Sequence, residues 1–253
     1  MLLDAHIHLQ DIKTDSELTD IFNLATQQRI GKMFCNGIKP SDWQKVRQIA
    51  QQDQKVIPFF GVHPWQVDSI EDSWLAELKK YLREVPLSGV GEIGLDKTRN
   101  AGKFDKQLNV FNKQIELAVE LKRPFVVHCV HAWENLFECL KPFNFKNQPF
   151  IIHCFIGSLE IASRLIQSGA YLSISLKLLS DKNQHSLSEV FQKLPLDRIL
   201  LETDYPYTPR SLEPASYSTY LRQMYEKAAL LKQIEPAQLE KVIWQNGTIL
   251  TTF

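Results

Sequence analysis

The hexapeptide DAHIHL, residues 4–9, carries His6 and His8 one residue apart. In an extended strand alternate side chains share a face, so both imidazoles point the same way with their Cα atoms about 6–7 Å apart. One metal ion can take both. Such a triplet also arises by chance on surface strands, so its meaning depends on the rest of the chain. His63 in GVHPW, Glu92 in GEIGLD, His128 in VVHC, His153 in IIHC and Asp204 in LLETD each sit at the end of a short apolar run. Imidazoles and carboxylates without paired thiolates suit Zn, Mn, Fe or Mg rather than a structural thiolate site. His6, His8, His128, His153, Glu92 and Asp204 exceed what one tetrahedral ion needs. Two divalent ions about 3.5–4 Å apart, bridged by a carboxylate, use them all, and Glu92 is the natural bridge.

Eight apolar runs must position these groups: residues 2–8, 32–37, 56–63, 88–95, 125–129, 150–155, 170–175 and 198–204. They alternate with segments of helical period, such as Leu18, Ile21, Phe22 and Ala25, or Phe104, Leu108, Phe111, Ile115 and Ala118. That alternation predicts parallel strands joined by crossover helices. Gly31 reads as the stop of the first helix, Ser158 as an N-cap and Gly169 as a second stop. With no linker rich in Pro, Gly or Ser, the expectation is one α/β domain over 1–253, a closed (β/α)8 TIM barrel, with an open doubly wound sheet as the fallback. In a barrel the C-terminal strand ends converge on one rim, which gathers the six candidate ligands and His63 into one pocket. Glu202 shares a face with Asp204 and is placed to orient it from behind. Strand alternation turns the thiols of Cys129 and Cys154 away from the pocket, and His185 in KNQHSL reads as a solvated loop residue. The turn at Gly37 is not a GxGxxG, so nothing supports a dinucleotide site.

Composition narrows the class further. With 44% hydrophobic and 23% charged residues among 253, the chain has material for a substantial core. Lys plus Arg equals Asp plus Glu at 29 each, so any nucleic-acid contact must be local. The start MLLDAHIHLQ has no basic region followed by an apolar stretch, and no run suits a membrane span. Four cysteines without CxxC spacing fit a reducing cytoplasm. No obligate protein partner is evident.

In order, DAHIHL, GVHPW, GEIGLD, VVHC, IIHCFIG and LLETDYPY resemble the signatures of the TatD family of metal-dependent hydrolases, over nearly the whole chain. The resemblance implies a TIM-barrel enzyme of a class described as magnesium-dependent deoxyribonucleases with 3′-to-5′ exonuclease activity. It assigns His6, His8 and Asp204 to one metal, His128 and His153 to a second, and Glu92 to both, with Mg, Mn or Zn as the divalent ions. It makes His63 a substrate-facing residue. Two departures stand out. Where the family usually has an arginine two residues after the fifth-strand histidine, this chain has Val130. The loss of a charge-assisted phosphate contact is worth about 1.5–3 kcal/mol, and His131 is the nearby substrate-binding replacement. After GEIGLD the usual aromatic run is replaced by KTRNAGKF, whose Lys97, Arg99 and Lys103 taken alone read as a solvated loop face, with local positive charge at the pocket mouth as the alternative. The reading that follows is hydrolysis of DNA phosphodiesters by a metal-activated water whose proton goes to Asp204. Short or single-stranded DNA ends are the expected substrate, and Trp65, Tyr205 and Tyr207 lie near the rim where aromatics can stack on bases. The missing arginine keeps two alternatives open: an amidohydrolase acting on an amide, lactone or cyclic ester, and a non-catalytic metal-binding scaffold.

Overall fold

The computed structural model describes residues 1–99, 101–145, 147–179, 184–207 and 216–252. Eight strands, β1 (Leu2–Ile7), β2 (Ile30–Asn36), β3 (Val56–Phe60), β4 (Gly89–Asp96), β5 (Phe125–Val130), β6 (Phe150–Ile152), β7 (Ala170–Ile174) and β8 (Ile199–Leu201), form one parallel sheet in chain order. Around them lie α1 (Asp15–Gln27), α2 (Pro40–Gln52), α3 (Trp74–Glu84), α4 (Phe104–Glu120), α5 (Trp133–Leu140), α6 (Leu159–Gln167), α7 (Gln184–Lys193), α8 (Tyr217–Lys232) and α9 (Pro236–Ile249). The sheet curls until its ends meet. Asp204 N–H donates to the His6 carbonyl at 2.9 Å and His8 N–H to the Tyr205 carbonyl at 2.8 Å, with a parallel bridge between Ile7 and Tyr205. This is the eight-stranded TIM barrel that the alternation predicts.

Each strand is covered on both faces, which is why stretches such as FII in β6 and ILL in β8 are uniformly apolar. The helices dock through the anticipated stripes: Leu18, Ile21 and Ala25 of α1 and Phe111, Ile115 and Ala118 of α4 are buried. Thr14 and Glu17 cap each other's backbone N–H at the start of α1. The Ser158 side chain accepts from Ile161 N–H at the start of α6, and Gly169 follows its end with φ +100°. Gly31 does not stop α1. It lies inside β2, and the left-handed turn after the helix is taken by Arg29 at φ 58°.

β6 and β8 are shorter than their apolar runs. Both leave the ladder before the polar residues of the rim, so His153 and Asp204 sit on turns rather than on strands. Gly94 meets a different demand. At φ +152°, opposite His128 in the β4–β5 register, a Cβ there would strike the His128 carbonyl oxygen. Only glycine lets these two strands approach closely enough to bring Glu92 and His128 together. Among the described residues no helix is long and apolar enough to cross a membrane.

Candidate metal centre

The centre is built around the Glu92 carboxylate, buried midway along β4. Its Oε2 lies 3.3 Å from His6 Nε2 and 3.5 Å from His8 Nε2. Its Oε1 lies 3.1 Å from His153 Nε2, 3.2 Å from His128 Nδ1 and 3.4 Å from His63 Nε2. Asp204 Oδ1 is 3.5 Å from His8 Nε2 and 3.9 Å from His6 Nε2. The imidazoles also close on each other, at 3.0 Å between His6 and His8 and 3.3 Å between His128 and His153.

These separations suit shared cations better than hydrogen bonds. Donors about 2.1 Å from one ion stand about 3.0 Å apart at a right angle and about 3.4 Å apart at a tetrahedral angle. Three ring nitrogens crowd one carboxylate oxygen, and two Nε2 atoms face each other with a single proton at most between them. Among the described residues, donor atoms of His6, His8 and Glu92, and of His63, Glu92 and His128, each fall within 4.8 Å of one another. The residues present therefore fit divalent cations.

Groups behind the rings set which nitrogen carries the proton. His8 Nδ1 lies 2.8 Å from the Asn36 carbonyl, which can only accept, so Nε2 presents a lone pair inward. His153 Nδ1 lies 3.2 Å from Glu202 Oε1, and His128 Nε2 lies 3.1 Å from Asp96 Oδ2, with the same consequence for the inward nitrogens. His63 is wired the other way. Its Nδ1 accepts from Trp65 N–H at 3.2 Å, so in the neutral ring the proton is on Nε2 and points at the centre. His63 is thus a hydrogen-bond donor to whatever occupies the pocket, in keeping with a substrate-facing role.

The electrostatics follow from this crowding. Burial would raise the Glu92 pKa, but His153, His63 and His6 together hold it well below the usual carboxylate range. Burial would lower His153, yet Glu92 and Glu202 lift it well above the ordinary imidazole value. For His63 burial wins outright and pushes the ring down to about 4, leaving it neutral at physiological pH. Asp204, opposed by burial, is drawn below its usual value chiefly by the His8 hydrogen bond.

All seven rim residues picked from the sequence meet here, and Glu202 lies behind His153, also accepting Cys154 N–H at 2.7 Å. Around them opens a pocket of about 580 Å³ whose wall includes Val130 and the exposed ring of His131. Some expectations need correction. Cys154 faces the pocket, because β6 ends at Ile152 and a left-handed residue at φ 47° breaks the alternation, whereas Cys129 on β5 is buried in the core as alternation predicts. Tyr205 is only 3% exposed and packs on Tyr217, whereas Trp65 and Tyr207 stand in the pocket wall. Lys103 pairs outward with Asp68 and Lys97 lies over Phe104, leaving Arg99 of that cluster in the pocket wall. His185 lies in the first turn of α7 rather than in a loop, and its side chain lies outside the described residues.

Three supporting residues were missed. Asp96 lies four residues after Glu92 on the same strand face, and Asp4 shares the parity of His6 and His8, so spacing offered a signal for both. Lys177, in the turn after β7, offered none. A wider cavity of about 890 Å³ near the other ends of β6 and β7 contains none of these groups.

Relatives of the chain span it nearly end to end. YabD of Bacillus subtilis, named an uncharacterized metal-dependent hydrolase, is 27% identical over 249 residues, 98% of this chain and 97% of its own. The 3′-5′ ssDNA/RNA exonuclease TatD of Cronobacter sakazakii is 27% identical over 255 residues, 98% of this chain and 97% of its own. That of Erwinia billingiae is 31% identical over 185 residues, 71% of each chain. Among solved structures, the TatD homolog YJJV of Escherichia coli superposes with a TM-score of 0.89 at 23% identity, covering 99% of this chain and 97% of that one. A zinc-bound amidohydrolase of Burkholderia multivorans reaches 0.62 at 11% identity, over 99% and 98%, a likeness of fold alone. Residues 3–250 match the family described as TatD related DNase, a stretch that begins before His6 and ends beyond Asp204, and the chain therefore belongs to the TatD family of metal-dependent hydrolases.

Proposed function

We propose that this hydrolase removes nucleotides from the 3′ ends of single-stranded DNA or RNA, with a donor set around Glu92 that would hold two divalent cations. The observation that carries the reading is the division of the Glu92 carboxylate, one oxygen toward His6 and His8 and the other toward His128 and His153. His6, His8 and Asp204 would hold one cation, and His128 and His153 the other. The chemistry these residues would gain from bound cations is a lowered pKa for water and charge drawn off a phosphoryl oxygen. Asp204 takes the proton of the attacking water: its side chain is 16% exposed, against 4% for Glu92, whose two oxygens are both engaged. Neutral His63 donates its Nε2 proton to a phosphate oxygen. Asn36, Asp96 and Glu202 keep the ligand rings in the required tautomers.

The pocket volume suits one or two nucleotides, and Trp65 and Tyr207 offer ring faces at its wall. Balanced charge favours engagement of a strand end over coverage of long duplex. Relatives named ssDNA/RNA exonucleases support this substrate class, while the zinc-bound amidohydrolase shares too little sequence to support an amide or lactone. Four free cysteines fit a cytoplasmic setting, and one barrel over 1–253 acting as a single domain suffices for the chemistry.

The test is a time course on a short 5′-labelled oligonucleotide, as single-stranded DNA, single-stranded RNA and duplex, with Mg, Mn or Zn added to metal-free protein. The expected result is stepwise shortening of the single strands from the 3′ end, lost in Glu92→Gln. Full-length strands under all three metals, in protein that binds those metals, would refute the reading.

A further inference from the structure

Past the end of β7 the chain makes a short helical turn, Leu176–Leu179, and Lys177 reaches back into the pocket that holds His153 and Asp204. Its Nζ donates to Cys154 Sγ at 3.2 Å, and no carboxylate among the described residues pairs with it. Sulfur is a weak acceptor. The half-buried ammonium is thus held only by this weak acceptor and by the more distant charges of Asp204 and Glu202, which leaves its remaining N–H donors turned to the pocket for a stronger acceptor. Elsewhere around the rim cations are already engaged: Lys103 with Asp68, and Arg99 stacked on the Trp65 ring with its guanidinium carbon 4.0 Å from the ring centre.

Position adds direction to this charge. With the strands in chain order around the barrel, β7 stands across from β3. Trp65 follows β3, its indole N–H fixed to Asp96 at 2.7 Å. The pocket therefore has an aromatic wall and an ammonium wall, with Glu92 and Asp204 between them. Lys177 feels the charges of Asp204 and Glu202 from the β7 side of the pocket, and so stands at the edge of the ring of groups that surrounds the bond to be cut.

We infer that Lys177 holds a second phosphate of the substrate, one nucleotide away from the scissile phosphodiester. The inference rests on the phosphodiester reading of the site. A contact to a phosphate that does not react strengthens ground state and transition state alike, so it acts on KM rather than kcat. It also makes the pocket measure the substrate: a dinucleotide bearing one extra terminal phosphate fills it, and one without leaves Lys177 unanswered.

The experiment compares thymidine dinucleotides TpT, pTpT and TpTp on wild type, Lys177→Met and Lys177→Arg, with bis(p-nitrophenyl) phosphate as a diester that has no second phosphate. Wild type is expected to show a KM about tenfold lower for one of the phosphorylated dinucleotides than for TpT. Lys177→Met should erase that preference while leaving kcat and the aryl diester rate within about twofold, and Lys177→Arg should keep it. Preference that survives in Lys177→Met, with the aryl diester still cleaved, overturns the role of Lys177 and leaves the phosphodiester reading standing. Failure of wild type to cleave any of the four compounds counts against that reading instead. Equilibrium binding of pTpT and TpTp in calcium then reads the contact without turnover: equal affinities for wild type and Lys177→Met overturn the inference.

Discussion

Glu92 shows why a carboxylate and not an amide occupies the middle of this site: both oxygens must offer lone pairs, each facing a different set of imidazoles. Residues one shell out act through the proton on a ring nitrogen. Asp96 receives His128, Trp65 and Thr98 together, and these bonds hold it well below the usual carboxylate range against the opposing effect of burial. Replacing it by asparagine lets an N–H face His128 Nε2, so the ring no longer presents a lone pair inward with the same reliability. Asp96→Asn should weaken metal binding about 10- to 100-fold, measured by metal titration of the stripped protein; unchanged affinity would mean Asp96 does not orient His128. His63 makes the opposite prediction, because its inward nitrogen already carries a proton. His63→Asn should retain the metal content of wild type, read by elemental analysis, while strand cleavage falls about 100-fold. Loss of one metal equivalent would instead make His63 a ligand.

The elements were legible to different depths, and the reason is where each strand ends. Order and number followed from apolar runs punctuated by helical stripes, and the rim residues from their place at the ends of those runs. What failed was alternation beyond the ladder: once β6 stops at Ile152, a left-handed Cys154 turns its thiol inward. Tyr205 likewise turns inward after Asp204, at φ 56°, bends the chain. The weak point of such a barrel is β8, only three residues long, and Asp4 of β1 compensates for it. Asp4 accepts from Thr203 N–H at 2.9 Å, Thr203 Oγ1 at 2.6 Å and the Tyr217 hydroxyl at 3.0 Å, tying the first strand to the last. Burial outweighs these bonds and pushes its carboxyl up to about 7. A folded-state pKa raised above the unfolded value of 3.8 gives stability that is full below 3.8 and is lost as pH rises through 7. In metal-free protein, denaturant titrations should therefore show wild type losing stability relative to Asp4→Asn, by a few kcal/mol, between pH 4 and pH 8. A pH-independent difference would show that Asp4 stays ionised.

At the scale of the whole molecule, no local segment owns the centre. β1 and the residue after it bring two imidazoles, β4 the central acid, β5 one ring, and the turns after β3, β6 and β8 the rest, so the cluster exists only when the sheet has closed on itself. Sequence spacing could identify the members because each falls in or just after an apolar run that becomes a strand, but it could not find Lys177, whose approach depends on a turn with no regular period. The same closure would make cation binding a folding term, since an unfolded chain scatters the donor atoms and a cation would bind the folded form far better than the unfolded one. At a hundred times its dissociation constant, a cation binding only the folded form adds about 2.7 kcal/mol. For a chain of this length that corresponds to a rise in Tm of roughly 5–10 °C. Because metal and proton compete for the same nitrogens, and because His153 in the metal-free centre holds its proton more tightly than an ordinary imidazole, the rise must shrink as pH falls. Thermal denaturation of stripped protein with and without Mn, at pH 8 and again at pH 5.5, is expected to show a clear gain at the higher pH and little at the lower. Glu92→Gln should forfeit most of the gain at both. An equal Tm with and without metal at pH 8 would mean that the imidazoles and carboxylates gathered by the barrel do not hold a cation in common.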